Sequence, residues 1–320
     1  MKKLNKKILI TGGAGYIGQN LIGFFLKKKY QIYVIDNLST SVPLNSDIKK
    51  NVSFYKIDLG IENKAKLFFK NRNFDLIIHL AALSGVQEFN KNVLKSFNNN
   101  VLATKNLVRF AFQKKNTKLI FASSAAVYGK VSRDKISEKN DCQPANYYGF
   151  SKLASENIIN YALQNNKNNY AILRYFNVVG SIVDFKIKKK INSLMDIISN
   201  KIKRKKYKIN VNGRNYDTID GTPERDFIHI NDLCKIHEKT YKYLGKNKKI
   251  VLNCGSGVRY SVLKVIKAFE KKIKKKFQIT YKIVNPDETQ TICSNTNQLK
   301  KLLKMSIEKK EINNLIKDYL

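Results

Sequence analysis

A tyrosine and a lysine four residues apart, in Tyr148-Gly149-Phe150-Ser151-Lys152, are the first candidates for chemistry. On a helix, positions i and i+4 share a face, so this spacing points a phenol and an ammonium into one cleft. A nearby cation stabilises phenolate and lowers the tyrosine pKa, which makes Tyr148 a usable base near neutral pH. Upstream by 24 residues lies Ser124, in Ala122-Ser123-Ser124-Ala125-Ala126-Val127-Tyr128-Gly129. There the apolar run Leu119-Ile120-Phe121 gives way to small and hydroxylated residues, which leaves space for a ligand beside the backbone. By position Ser124 is the candidate hydroxyl for the reaction. Ser123 is expected to pack or to bond the local backbone.

A third segment binds rather than reacts. Thr11-Gly12-Gly13-Ala14-Gly15-Tyr16-Ile17-Gly18 lies between an apolar run and a helical pattern. Glycine lets the backbone turn tightly and approach a pyrophosphate, while the helix N-terminus supplies amide donors and a partial positive charge. Asp36 ends the next apolar run, 18 residues after Gly18. A carboxylate there accepts hydrogen bonds from ribose hydroxyls and repels a 2′-phosphate, favouring NAD over NADP.

The elements that must carry these residues alternate along the first half. Lys7–Thr11, Gln31–Ile35, Val52–Tyr55, Leu76–His79, Leu119–Ala122 and Tyr170–Tyr175 read as strands, and Tyr16–Lys29 as a helix. Strands separated by helices imply an α/β fold with a parallel sheet and right-handed crossovers. After Gly180 the pattern is less regular, with a lysine-rich helix over Ile191–Lys205 and a polar stretch over 210–221. The expected division is residues 1–178 as a dinucleotide-binding domain, with a returning segment near 226–250. Residues 179–225 and 251–320 then form a smaller discontinuous lobe.

At 320 residues, 43% of them hydrophobic, the chain can bury a sizeable core. No apolar run approaches the roughly 18 residues of a membrane span. The N-terminal Met1-Lys2-Lys3 start is followed by too short an apolar run for a secretory signal, so a cytoplasmic protein is expected. The four cysteines (142, 234, 254 and 293) and three histidines show no metal-ligand spacing, which points to free thiols and no protein metal site. The net charge is +37 and mostly lysine. With no nucleic-acid motif beside it, this reads as a solvated surface rather than a specific nucleic-acid interface.

The segments Thr11–Gly18, Ala122–Gly129 and Tyr148-Gly149-Phe150-Ser151-Lys152-Leu153-Ala154-Ser155-Glu156, in this order and spacing, resemble the extended short-chain dehydrogenase/reductase (NAD-dependent epimerase/dehydratase) family. The blocks Arg174–Gly180 and Tyr216–His229, with its YxTxDGTxxRD pattern, resemble the family's UDP-glucose 4-epimerase branch. The resemblance covers roughly residues 6–260. It implies a doubly wound parallel Rossmann sheet with a mixed α/β C-terminal substrate lobe. The implied function is an NAD-dependent nucleotide-sugar 4-epimerase, most simply for UDP-glucose and UDP-galactose or their N-acetylated forms.

By this resemblance Tyr148 takes the proton from the sugar 4-hydroxyl as the C4 hydride passes to NAD. Lys152 holds the ribose hydroxyls, and Ser124 hydrogen-bonds the sugar O4. The hydride then returns to the other face of the 4-keto sugar. NAD contacts are implied for Gly12, Gly15, Tyr16, Ile17, Gly18, Asp36, Asn37, Asp58, Leu59, Leu80, Ala81, Ala82 and Asn100, together with Tyr148 and Lys152. The sugar nucleotide would be held by Ser124, Tyr148, Asn177 and Arg225, and a homodimer is implied. Asp58 could instead be a plain strand-end carboxylate, Asn100 a bridge between helices, and Arg225 a surface partner of Asp226. His79 reads as structural.

The departures from the branch lie on the substrate side. Asn212 stands where an aromatic usually stacks on uracil, and Val284 where a second arginine usually holds phosphate. Ser84 replaces a common lysine, and a small residue, Thr291, falls where some epimerases carry a bulky gate, which would leave room for a larger sugar. Ala125-Ala126 stand where the 4,6-dehydratase branch carries Asp-Glu, which argues against elimination. Two alternatives stay open: another nucleotide-sugar dehydratase or reductase of the family, and a non-catalytic dinucleotide-binding protein. The joint retention of Ser124, Tyr148 and Lys152 weighs against the second.

Overall fold

The computed structural model describes residues 6–83, 92–113, 116–131, 135–164, 168–181, 193–283, 289–308 and 310–320. The expected strands form as β1 (Lys7–Thr11), β2 (Gln31–Asp36), β3 (Ser53–Lys56), β4 (Leu76–His79), β5 (Lys118–Ser124) and β6 (Tyr170–Tyr175). Further along come β7 (Asn177–Val179), β8 (Lys208–Asn212), β9 (Glu224–His229) and β10 (Lys249–Cys254). Last are β11 (Arg259–Ser261), β12 (Gln278–Lys282) and β13 (Thr291–Ile292). Between them run helices α1 (Tyr16–Leu26), α2 (Ser46–Lys50), α3 (Glu62–Phe69), α4 (Val93–Ala111) and α5 (Tyr147–Gln164). The second half adds α6 (Leu194–Lys203), α7 (Ile230–Tyr243), α8 (Val262–Ile273), α9 (Asn297–Leu303) and α10 (Ile312–Leu315).

Seven strands form one all-parallel sheet in the order β10-β6-β5-β4-β1-β2-β3. Parallel strands covered on both faces read as continuous apolar runs, which is why Ile8, Leu9 and Ile10 are all fully buried. Ile8 and Ile10 pack on the α1 and α7 side, and Leu9 faces the α3, α4 and α5 side. The chain runs outward from β1 through β2 to β3, then starts again at β4 and runs the other way. A crevice therefore opens between β1 and β4, beyond their C-terminal ends.

Of the boundaries that moved, two have plain local reasons. The helix α1 stops at Leu26, short of the expected Lys29, because Lys29 takes a left-handed φ of 60°. β5 runs past Ala122 because Ser123 and Ser124 keep parallel register with Arg174 and Tyr175 of β6.

The smaller lobe holds a sheet in which β9 pairs with β11, β13 and β7, and a separate parallel pair, β8 and β12. Its own core, with Met195, Ile198, Ile209, Val211, Val265 and Phe269, lies under α6 and α8. Asp226 of β9 ties the β10–β11 connection and the segment after β13 to this sheet. Its fully buried carboxylate accepts hydrogen bonds from the Ser256 amide and hydroxyl (both 2.7 Å) and from the Gly257 amide (3.0 Å). It also accepts from the Ser294 amide (3.0 Å) and hydroxyl (2.6 Å). Asp226→Ala strands three buried amides, so the unfolding free energy should fall by about 3 kcal/mol or more in urea titration. A loss below about 1 kcal/mol would mean that the clamp is dispensable.

Candidate active site

The crevice between β1 and β4 is a cavity of about 630 Å³, a size suited to a large organic cofactor. Its floor is the loop after β1. Gly12 has a φ of +69°, and a Cβ there would lie 2.7 Å from the Ala81 amide nitrogen, so only glycine lets the β1 and β4 loops close together. Gly15, Tyr16, Ile17 and Gly18 line the cavity at the N-terminus of α1, whose first turn holds no acidic side chain. Backbone amides and the helix dipole there favour an anion.

Asp36, Asn37, Asp58 and Leu59 line the far wall. Asp36 also organises its own loop, accepting from the Ala14 amide (3.0 Å), the Leu38 amide (2.8 Å) and the Ser41 hydroxyl (2.8 Å). A carboxylate has about four acceptor sites, so about one remains for a ligand hydroxyl. Asn37 donates to Asp58 (3.1 Å), which also accepts from the Gly60 amide (2.8 Å).

The β4 end is held by a buried relay. Ala81 N–H donates to Thr11 Oγ1 (3.3 Å), which meets His79 Nδ1 at 2.7 Å; His79 Nε2 meets Thr104 Oγ1 at 3.1 Å. Burial, with Lys152 nearby, pushes the His79 pKa down to about 3, so the ring is neutral. It thus holds Leu80, Ala81 and Ala82 against the cavity, as a structural residue. Asn100 stands one layer behind the wall. Its Oδ1 accepts from the Leu83 amide (2.8 Å) and its Nδ2 donates to the Leu83 carbonyl (3.2 Å) and Ser151 (3.1 Å), while Asn99 lines the cavity instead.

The near wall carries Tyr148 and Lys152 on one face of α5, as their spacing predicts. Lys152 is 4% exposed, and Nζ donates to the Ala122 carbonyl of β5 (2.8 Å). Burial lowers its pKa to about 8, against the pull of Glu156. The Tyr148 and Ser124 side chains are hydrogen-bonded, and Ser124 Oγ accepts from the Ala126 amide at 3.2 Å. The expected lowering of the Tyr148 pKa by Lys152 is not what this arrangement produces. Burial pushes the phenol up to about 12, and the Ser124 bond only partly offsets it. The Lys152 ammonium is 6.0 Å from the Tyr148 ring centroid and already engaged with Ala122. Ser123 differs from expectation too: its hydroxyl bonds the Glu156 side chain rather than the backbone.

Residues 8–255 match the NAD dependent epimerase/dehydratase family. The chain belongs to that family. A family relative, the UDP-glucose 4-epimerase of Dictyostelium discoideum, is 33% identical over 89% of this chain and 86% of its own length. Among solved structures, UDP-glucose 4-epimerase from Bifidobacterium longum in complex with NAD+ and UDP is 30% identical with a TM-score of 0.89, covering 98% of this chain and 97% of that one. The UDP-Glc/GlcNAc 4-epimerase of Campylobacter jejuni is 33% identical with a TM-score of 0.83, covering 98% of each chain.

The family's dinucleotide half was readable from sequence more fully than its substrate half. Asn177, whose Nδ2 donates to the Asp226 carbonyl (3.2 Å), does not line the described cavity, and nor do Ser124 and Arg225. Arg225 donates to the carbonyls of Glu224 (2.9 Å) and Gln290 (3.2 Å), and its neighbour Asp226 turns inward, so the two form no surface pair. Thr291 is 2% exposed and donates to Glu224 (3.3 Å) within the β9–β13 pair, so its small size does not widen the described cavity. Ser84 and Val284 lie outside the described residues. Missed from sequence were Ser39, Ser41, Tyr175, Ser193 and Asp196, all lining the cavity. Two signals were available: the hydroxyl run after Asp36, and the Ser193/Asp196 capping box at the start of α6.

The buried ammonium gives a stability test. Unfolded, Lys152 titrates near its ordinary 10.5, and folded near 8. The penalty for burying its charge is full below pH 8 and gone above 10.5. Lys152→Met should therefore raise the unfolding free energy at pH 7 by about 2 kcal/mol, with the gain shrinking as pH rises through that window. Urea titrations at pH 7 and pH 10 check this; equal stability of the two proteins at pH 7 would refute it.

Proposed function

We propose that this protein is an NAD-dependent nucleotide-sugar 4-epimerase that interconverts UDP-glucose and UDP-galactose or their N-acetylated forms. The observation that carries the reading is the Tyr148–Ser124 hydrogen bond beside the buried Lys152, at the wall of the switch-point cavity. The likeness to UDP-glucose 4-epimerases over nine-tenths of the chain supports it. The N-acetylated sugars draw their support from the Campylobacter jejuni relative.

The residues present fit NAD. Glycines 12 and 15 and the α1 N-terminus suit its pyrophosphate, and Asp36 and Asp58 suit its adenosine half. NAD, when bound, supplies the acceptor and then the donor of the C4 hydride, so the reaction needs no external oxidant. Ser124 and Tyr148 share a proton path to the sugar 4-hydroxyl. Tyr148 removes that proton and returns it once the sugar has turned over. Lys152, in the same cavity wall, holds the ribose hydroxyls of the bound cofactor, and Leu80, Ala81 and Tyr175 help exclude water. Asn177 and Arg225, which lie beyond the described cavity, are the candidate diphosphate contacts, and a guanidinium carries a planar donor set that can meet two oxygens.

On this reading residues 1–178, with a returning segment near 226–250, mainly hold the cofactor, while residues 179–225 and 251–320 cover the sugar nucleotide. β9 lies on the smaller sheet and β10 on the large one, and Ser193 and Asp196 reach the cofactor cavity. The buried free thiols of Cys234, Cys254 and Cys293 suit a reducing, cytoplasmic compartment. Among the described residues no helix is long and apolar enough to cross a membrane. A homodimer is the expected assembly. Leu94 and Leu102 of α4 and Tyr147, Phe150 and Tyr161 of α5 are exposed, and Phe97 stacks on Phe150 at 5.6 Å. A second copy of the same helix pair would cover that apolar face.

Purified protein incubated with UDP-glucose and UDP-GlcNAc, without added NAD, should form the C4 epimers. Tyr148→Phe should lower turnover by about 10³-fold while retaining bound NAD. No epimer from any UDP-hexose by NAD-loaded protein would defeat the reading. The double variant Phe150→Lys with Tyr161→Lys should convert the dimer to a monomer in light scattering, and an unchanged mass would remove this face from the assembly.

A further inference from the structure

Behind the catalytic wall lies a buried polar chain that the proton path does not use. Glu156 follows Lys152 by one turn of α5 and is 2% exposed. Its Oε1 accepts from the Ser123 hydroxyl and from Arg174 Nε (3.1 Å), and its Oε2 accepts from Arg174 Nη2 (2.7 Å). A bidentate guanidinium is the strongest ordinary partner of an ionised carboxylate. Arg174 continues through Nη1 to the Tyr128 hydroxyl (2.9 Å), which donates to Asn253 of β10 (2.7 Å). Asn253 donates in turn to Glu138 (2.7 Å) and to the Ile136 carbonyl (2.9 Å).

This chain bears on the end of β5. Successive residues there are tied to α5 from two sides: the Ala122 carbonyl by Lys152, and the Ser123 hydroxyl by Glu156. The next residue is Ser124, bonded to Tyr148 on the same helix. The groups around Lys152 are Glu156 and Tyr148 on α5 and the neutral His79 of β4. Those around Glu156 and Arg174 are Tyr128, Glu138 and Cys142. Among these only Glu156 is a carboxylate that acts on Lys152.

We propose that Glu156, clamped by Arg174, is a positioning residue for this site: it fixes the end of β5 through Ser123 and supplies the negative charge that accompanies the Lys152 ammonium. The proposal rests on the epimerase reading for its kinetic consequence but not for its electrostatic one. Removing the charge leaves the buried ammonium with the Ala122 carbonyl as its compensation, so it gives up its proton at lower pH.

The test compares wild type, Glu156→Gln and the double variant Glu156→Gln with Arg174→Met, which leaves no guanidinium stranded. Two readouts are used: the pH profile of kcat and KM on UDP-glucose, and the Lys152 titration followed by NMR of 13C-labelled lysine. Both variants should lower kcat about tenfold or more at pH 7.5 with KM within about twofold, and shift the alkaline limb of the kcat profile to lower pH. The Lys152 titration should move down by about one pH unit in each. A double variant that recovers wild-type kcat and titration would overturn the proposal, as would a Lys152 titration that stays in place in Glu156→Gln. If wild type epimerises neither UDP-hexose, the epimerase reading fails, and the NMR titration alone still decides whether Glu156 holds the lysine charge.

Discussion

A buried ammonium at the end of a parallel strand is the constraint around which this site is arranged. Lys152 has left water for a position 4% exposed, where the Ala122 carbonyl and the charge of Glu156 are the available compensation. The Ala122 contact, like the Ser123–Glu156 bond, requires α5 to lie in one register against β5. That register also sets the phenol of Tyr148 on the hydroxyl of Ser124. The strand must end in small residues for the helix to come this close. Gly149 states the same limit from the helix side, since a Cβ there would clash with the Ala126 carbonyl oxygen.

The sheet repeats this logic at the switch point. Gly12 brings the β1 loop onto the β4 loop, and the Thr11–His79–Thr104 relay keeps the β4 end in place without a charge. Binding and proton transfer thus draw on adjoining loops of one crevice. The cavity is polar at the Asp36 end, where a carboxylate already serves three protein donors, and elsewhere Leu80 and Ala81 share its lining with Tyr148 and Lys152.

Much of this was legible in the residues. Buried parallel strands announce themselves as apolar runs, and the glycine loop, Asp36 and the Tyr148/Lys152 pair are local patterns. What stayed hidden depends on contacts distant in sequence. Nothing near Asn100 says that its amide is spent on Leu83, and nothing near Thr291 says that Glu224 claims its hydroxyl. Asp226 looks from sequence like a partner for Arg225, yet its carboxylate is turned the other way by amides and hydroxyls 30 and 68 residues further on. The Tyr148 pKa was misjudged for a related reason. Proximity of a cation is a sequence-level inference, whereas burial and the prior engagement of Lys152 belong to the folded molecule.

The Asp226 clamp has a consequence for how this protein meets its ionic surroundings. A chain with net charge +37 repels itself, and that repulsion fades as salt shortens the screening length. An ion-pair clamp would be loosened by added salt together with the repulsion. This one is built from a single anion, three amides and two hydroxyls, with no cation and no access to water. Added salt therefore quiets the surface and leaves the Asp226 clamp untouched.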